Sequence, residues 1–363
     1  MEYRVEKDDI GEKKVPKSAY YGIHTLRAKN NFEVVNDKIE KPMIRALVLI
    51  KKSAAETNYT INMLDEVTKN AITSACDEIL AGKYHNQFLT TCLQGGNGYS
   101  MIMNASEVIA NRANEILGGT LGIYDLCSLE EVNLNQSVED TMPTAIKIAA
   151  INLCRSLIVE LKKLSKAYTN KSKRCPDELA NSFNRVANAI DRDVDRILNA
   201  MNTLRTINVG YATKTIDGFN NDYIKEMVYL LTKNSHIQFV SASDICDTIY
   251  NLDCFVNLSS ILKTCAINLS KSCSELIFLD KQKQISLVKY EIKDEAFILE
   301  TVEQATLQVT GNDLIISLAT NSDFNNANIF LPLIMFRLFN SLTLIKNSAN
   351  ILRKKVITNI TIN

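Results

Sequence analysis

The chain has 363 residues, of which 46% are hydrophobic and 23% are charged, proportions typical of a folded globular protein. Lys plus Arg and Asp plus Glu each number 41, so no overall field would attract nucleic acid or an anionic membrane surface. The charged first residues, the lack of a continuous apolar run of bilayer-spanning length and nine scattered cysteines without a CxxC pair predict a cytoplasmic, reduced, metal-free protein.

Apolar residues at helical spacing dominate the chain, which has only 5 prolines and 12 glycines to interrupt them. Two helices are predicted over 41–58 and 63–82, with a turn near Asn62 and Asp65. Longer apolar stripes predict helices over 141–168, 178–208 and 241–279 and further helical turns around 329–345. Strand signals are few, and the best is the C-terminal KKVITNITIN. The pattern predicts an all-α protein with a long central helical bundle and a smaller N-terminal helical domain.

A glycine-rich loop interrupts this pattern in QGGNGYSMIMNASEVIAN, residues 94–111. Glycines allow a positive φ and leave backbone N–H groups pointing at whatever lies in front of the following helix, an arrangement that favours anions. A tight turn with no ligand would have the same composition. The stretch alone leaves both interpretations open.

Four separated segments favour the anion-holding loop, because together they resemble the aspartase/fumarase superfamily and, within it, aspartate ammonia-lyases. They are VPKSAYYGIHTLRAKNNF (15–32), CDEILAGKYHNQF (76–88), the 94–111 stretch and NQSVEDTMPT (135–144). Three further matches are INVGYAT (207–213), LKTCAINLSKSCSELIFL (262–279) and QVTGND (308–313). The resemblance implies a homotetramer built on long central helices, active sites shared by three subunits, and release of ammonia or water from a succinate-type substrate to give fumarate without a cofactor.

The resemblance also implies a division into an N-terminal domain with the anion-holding loops, 1–140, and a bundle domain, 141–363, without the family's small C-terminal domain. In the first loop, family Gly-Thr-Ser corresponds to Gly98-Tyr99-Ser100, which keeps a hydroxyl but adds a phenol. In the second, family Gln-Ser-Thr-Asn-Asp corresponds to 136–140, so that Val138 and Glu139 replace a hydroxyl and an amide while Ser137 and Asp140 remain. The third loop is predicted to be Thr169-Asn170.

The largest departure falls on the family's mobile loop, Gly-Ser-Ser-x-Met-Pro-x-Lys-x-Asn-Pro. An ungapped count back from 300–313 places Leu287 and Val288 at the two serines, the first of which is the family's base. Lys293 matches the family lysine, and Glu295 replaces the asparagine. Neither aliphatic side chain has an ionisable proton, so neither can act as a general base. The ancestral chemistry is therefore predicted to be lost at this loop.

Three functions remain open at this point. The first is a catalytically impaired homologue that acts as a structural or regulatory subunit, alone or with an active relative. The second is an active aspartate ammonia-lyase or a lyase with another substrate, and the third is a module that binds an amine or cation. Structural alternatives apply to His24 and His85 as hydrogen bonders, to Arg27 in a salt bridge, to Lys293 as a relic, and to Ser100 and Ser137 as helix N-caps.

Overall fold

The computed structural model describes residues 2–215, 218–288, 296–321 and 328–363. Within these ranges the helices are α1 Ile23–Asn31, α2 Lys41–Thr60, α3 Glu66–Leu80, α4 Tyr99–Ile116, α5 Leu129–Val132, α6 Val138–Ser172, α7 Asp177–Thr203, α8 Asn221–Ser235, α9 Ile245–Tyr250, α10 Asp253–Lys281, α11 Phe297–Thr320 and α12 Leu331–Ile351. The strands are β1 Tyr3–Asp8, β2 Gly11–Pro16, β3 Thr206–Ile207, β4 Val240–Ser241, β5 Ile285–Ser286 and β6 Thr361–Ile362.

The chain forms two compact units, each assembled from separate stretches of sequence. Unit 1 comprises Met1–Ala149, Arg205–Leu252 and Ser322–Phe336. Unit 2 comprises Ala150–Leu204, Asp253–Asn321 and Arg337–Asn363. The division of the chain at residue 140, which follows the motifs, stays a prediction.

Unit 1 is built around α2, which packs on α3 and α8, and around α4, which packs on α1 and α3. The turn between α2 and α3 forms where the sequence predicts it. Asn62 has a φ of 60°, and the Asp65 carboxylate caps α3 by accepting from the N–H groups of Val67 and Thr68. Small strand pairs complete the unit, with β1 antiparallel to β2 and β3 parallel to β4.

Unit 2 is a bundle of long helices in which α10 packs against both α7 and α11. The apolar stripe of α7 is buried at Phe183, Ile190 and Ile197, as its spacing predicts. Beyond α12 the chain makes a short π-helical turn, Leu352–Ile357, and then forms β6, which pairs antiparallel with β5. The all-α class and the long bundle are confirmed.

One predicted helix needs correction, one hairpin was not predicted, and one predicted helix has an unusual composition. The helix predicted over 241–279 starts later, because the chain around Asn251 is extended and divides it into α9 and α10. The β1–β2 hairpin was missed because its alternation is inverted: charged Arg4 and Glu6 face inward, whereas Tyr3 and Val5 are exposed. Helix α6 is long and apolar enough to cross a membrane by length and composition, but 72% of its apolar window is buried, as in a core helix of a soluble protein.

Candidate functional site

The glycine loop enters α4 through a left-handed backbone, as the sequence suggests. Gly98 has a φ of 92° and is the residue that precedes the helix. A Cβ atom at this position would lie 2.7 Å from the Sδ atom of Met142, on the first turns of α6. The φ of this residue favours glycine, and a side chain here would also have to displace the buried Met142 side chain. The loop is packed against the region that carries the second motif, so the structure brings these two motifs together in unit 1.

Tyr99 and Ser100 form the first turn of α4 and face different environments. The Tyr99 side chain is 47% exposed, and partial burial raises the pKa of its phenol. Ser100 is half-buried, and its hydroxyl has no hydrogen-bond partner among the described residues. Because Gly98 occupies the N-cap position, Ser100 is not a capping residue. Its hydroxyl remains available to a ligand.

Ser137 and Asp140 instead satisfy each other at the start of α6. The Ser137 N–H donates to Asp140 Oδ1 at 3.0 Å, and the Asp140 N–H donates to Ser137 Oγ at 3.3 Å. This reciprocal pair is a capping box, with Asp in place of the usual Glu. Asp140 Oδ2 also accepts from the Gly210 N–H at 3.2 Å. Burial raises the pKa of Asp140 to about 6 despite these bonds. Asp140 is thus an internal anchor between α6 and the 207–213 segment.

Val138 and Glu139, the altered positions of the second motif, lie between these anchors and are half-buried. The Glu139 carbonyl accepts from Asn208 Nδ2 at 2.8 Å, whereas its carboxylate has no partner within the described ranges. Asn208 is completely buried, and its own Oδ1 has no donor there. The start of α6 therefore carries one unpaired acid, and a buried amide oxygen without a donor lies close to it.

A buried lysine in unit 1 was not found from the sequence. Lys51, in the middle of α2, is fully buried, and its Nζ donates to Asn133 Oδ1 at 2.6 Å. The same oxygen lies 2.8 Å from the Ser106 hydroxyl of α4. Burial lowers the pKa of Lys51 to about 7, and the negative charge of Asp140 partly opposes this shift. The only sequence signal is a lysine on an otherwise apolar helix face.

Polar side chains on α4 hold the surrounding loops in place. Glu107 accepts from the N–H groups of Gly22, His24 and Thr25 and from the Thr25 hydroxyl, so its carboxylate occupies the N-terminal end of α1. Its burial raises its pKa. Buried asparagines continue this face, and all of them hydrogen-bond to loop backbone: Asn104, Asn111 and Asn114. With Glu107 included, these polar residues are spaced 3, 4 and 3 positions apart, which was the available sequence signal.

The structural alternatives for three N-terminal residues can now be compared with the contacts. His24 takes part through its backbone N–H, and the His85 Nε2 lies 2.9 Å from the Ile79 carbonyl oxygen. Arg27 forms a two-point ion pair with Asp8, which holds the pKa of that carboxyl at about 2. These contacts fasten α1 to the hairpin and to α3. The Arg27 and His85 side chains are thus engaged in internal contacts, as the structural alternatives predict.

The remaining predicted site residues that the structure describes belong to unit 2. Thr169 and Asn170 lie in the last turns of α6 rather than in a loop, and the Thr169 hydroxyl donates to the Ser165 carbonyl at 3.1 Å. Leu287 and Val288 follow β5 and are half-buried, and the Leu287 N–H donates to Asp280 Oδ1 at 2.9 Å. Lys293 and Glu295 lie outside the described residues.

The site of unit 1 therefore combines a glycine loop, one available hydroxyl, one exposed phenol and one unpaired acid. Six of the nine cysteines are buried, and none of the nine forms a disulfide. Among the described residues, no three His, Cys, Asp or Glu side chains cluster as metal ligands. The available groups are therefore the Ser100 hydroxyl, the Tyr99 phenol and the Glu139 carboxylate.

Comparison with known proteins gives a consistent result. A family model described as lyase matches residues 11–296. The aspartate ammonia-lyase of Bacillus subtilis strain 168 is 35% identical over 376 residues, covering 95% of this chain and 79% of the relative. That of Helicobacter pylori strain J99 is 33% identical, with coverage of 99% and 84%.

Solved structures agree with these sequence matches. A fumarate lyase:delta crystallin from Brucella melitensis superimposes with a TM-score of 0.95 at 30% identity, covering 100% of this chain and 85% of that chain. A class II fumarase from Schistosoma mansoni gives a TM-score of 0.92 at 22% identity, covering 100% and 85%, and supports the fold alone.

Proposed function

Because the chain belongs to the aspartase/fumarase superfamily of lyases, we propose that it is an aspartate ammonia-lyase homologue that has lost the serine-loop chemistry. In this proposal it acts as a structural or regulatory subunit. The family reaction converts L-aspartate to fumarate and ammonia and needs a base to remove a carbon-bound proton. The proposal is carried by Leu287 and Val288, the residues that the ungapped count places at the two serine positions.

The surroundings of these two residues support the same interpretation. The preceding residues Ile285 and Ser286 are paired with β6, and the Leu287 N–H is bound to Asp280. A catalytic loop that closes over substrate must move and place its base within hydrogen-bonding reach. Leu287 and Val288 have no proton acceptor in their side chains. They also directly follow the paired strand β5, so the chain has no free hinge before them.

The altered anion loops are the second support. Glu139 has an unpaired carboxylate, and two unit charges of the same sign at 4 Å repel by about 4 kcal/mol at an effective dielectric of ~20. Glu139 is half-exposed, so screening by water reduces this penalty. Succinate-type substrates should still bind weakly beside this acid. The same acid, with the exposed phenol of Tyr99, favours the alternative of an amine- or cation-binding module.

An active lyase, with aspartate or another substrate, is the second candidate. The glycine loop is kept, and the Ser100 hydroxyl is available to a ligand. A purified sample incubated with L-aspartate, with fumarate followed by its ultraviolet absorbance, separates the candidates. We expect no turnover. Turnover that survives stringent purification and disappears in Ser100→Ala would establish the active lyase instead.

The loss should also resist simple repair. Introducing Leu287→Ser with Val288→Ser supplies hydroxyls but not the loop's prolines or length, so we expect no fumarate from this variant. Adding Glu139→Asn, Glu295→Asn and Tyr99→Thr removes the acids and the phenol, and calorimetry should then detect succinate binding. A five-fold variant that binds no better than the parent would show that the assumed register of these loops is wrong.

Self-association is part of the proposal. On α11, Leu307, Leu314 and Leu318 are 72%, 61% and 65% exposed and recur at heptad-like spacing, a stripe suited to a partner helix. A homotetramer, or a hetero-oligomer with an active relative in the cytoplasm, would cover it. Light scattering should give a tetramer or at least a dimer, and Leu314→Asp should dissociate it. A stable parent monomer at micromolar concentration would refute this part.

A further inference from the structure

An open groove of about 410 Å³ lies on unit 2, between α6 and α12. Its volume falls in the range of small-molecule sites. Each helix contributes one stripe with i, i+4, i+7 spacing: Ser156, Glu160 and Lys163 on α6, and Lys346, Asn350 and Arg353 along α12 and the turn after it. The ion pair between Arg353 Nη2 and Glu160 Oε2, at 3.2 Å, joins the two stripes.

The groove is lined by hydrogen-bond donors that the protein does not use. Ser156, Lys346 and Asn347 have no side-chain partner within the described ranges. Asn350 Oδ1 accepts from Arg353 Nη2 at 3.2 Å, which orients the amide and leaves its NH₂ group for another acceptor. A ligand rich in acceptor oxygens would satisfy these groups.

The charge at the groove is net positive, although the whole chain is neutral. Lys346 lines the groove, Lys163 and Arg353 pair with its edge, and Glu160 is the acid among its lining residues. Glu160 is already neutralised by Lys163 at 2.7 Å and by Arg353, and the Lys163 hydrogen bond holds its pKa below the usual value. The surface therefore favours an anion of more than one charge.

From these features we propose that the groove binds a small hydroxylated phosphomonoester, a class that includes sugar phosphates and nucleoside monophosphates. The dianionic phosphate accepts from the Lys346 ammonium and from the neighbouring amides, because its oxygens are acceptors only. Glu160 has acceptor capacity beyond its two cationic partners and takes a ligand hydroxyl. The apolar stripe on α11 has no such donors, so the groove is distinct from the proposed self-association surface. The inference does not depend on any lyase activity.

Calorimetry on the intact protein at low ionic strength tests this, with adenosine monophosphate and glucose 6-phosphate as probes and adenosine, glucose and inorganic phosphate as references. Both esters should bind, the unphosphorylated compounds should not, and inorganic phosphate should bind more weakly. Lys346→Met should weaken binding by about tenfold or more. The matched control, Lys354→Met, removes the same charge from an exposed position outside the groove and should change affinity by less than about twofold.

Several results would overturn the proposal. Equal losses in the two lysine variants would indicate a diffuse basic surface, and equal affinity for inorganic phosphate would remove the hydroxyl contact. Binding to phosphatidylserine vesicles but not to the free esters would assign the surface to a membrane instead. Asn350→Leu is a second test, because it removes an amide donor without changing charge and should weaken ester binding while thermal unfolding confirms that the protein is folded.

Discussion

Replacing Lys51 with Met should stabilise the protein at mildly acidic pH and flatten its pH dependence. Lys51 is fully buried, and burial lowers its pKa from 10.5 to about 7. The unfolded chain therefore holds a proton between these two values that the folded chain does not. Folding stability therefore rises with pH between these two values. Below about pH 7 the full cost of burying the protonated lysine is present. The shift corresponds to about 5 kcal/mol.

Between about pH 6 and pH 9 this linkage should contribute a rise of about 3 kcal/mol in the free energy of unfolding of the parent protein. Lys51→Met removes that contribution. Loss of the Lys51–Asn133 hydrogen bond should cost little stability, because Asn133 Oδ1 still accepts from the Ser106 hydroxyl at 2.8 Å. Without the lysine, Asp140 also loses a favourable charge, so its pKa should rise further above about 6.

Urea unfolding of the parent and the variant at both pH values provides the measurement. The matched control is Lys52→Met, since Lys52 is the adjacent residue and pairs at 2.6 Å with the mostly exposed Asp77. We expect Lys52→Met to keep the pH-dependent rise of the parent and Lys51→Met to lose most of it. An unchanged rise in Lys51→Met would refute the assignment of the titration to this lysine.

Three further predictions concern packing and can be checked by chemical unfolding. Glu107→Ala should cost about 3 kcal/mol, because the buried N–H groups at the start of α1 lose their acceptor, and hydrogen exchange there should accelerate. Gly98→Ala should cost about 3 kcal/mol because of its φ and its approach to Met142, whereas Gly82→Ala, with a φ of 100° and open space, should cost only about 1 kcal/mol. Equal costs would disprove the contact with Met142. Ile197→Asp should cost about 4 kcal/mol by burying an unpaired charge in the α7 stripe, and a cost under about 1 kcal/mol would contradict that burial.

The long helices could be predicted because their determinants are local in sequence. Apolar spacing along α7 and the cap at Asp65 each involve residues a few positions apart. The break before α10 could not be found in this way, because the apolar rhythm continues through Asn251. The hairpin at residues 3–16 inverts the usual pattern, since its charged residues are paired inside the protein.

The candidate site was predicted in part. Its glycine loop follows from composition, whereas the close approach of Gly98 to Met142 of α6 was found only in the structure. Ser137 and Asp140 match the substrate loop of the family, but a Ser-x-x-Asp spacing is also typical of a helix cap. In the structure the two residues form such a cap. The contact of Lys51 with Asn133 joins residues 82 positions apart, and no local pattern in a single sequence encodes such a pair.

The pairing of β5 with β6 has a further consequence for folding and exchange kinetics. Ser286 Oγ bonds to Asn363 Oδ1 across 77 positions of chain, and Lys171 Nζ ties the same terminal segment to the bundle through the Ile360 carbonyl at 2.8 Å. The two residue pairs of this strand pairing contribute few hydrogen bonds, whereas closing a chain loop of this length costs conformational entropy. The pairing should therefore form after the helical bundle during folding and open before it. The segment that leads to Leu287 would then become ordered only when β5 pairs with β6, late in folding. Its amides should exchange in step with those of residues 360–363, far faster than the amides of α10.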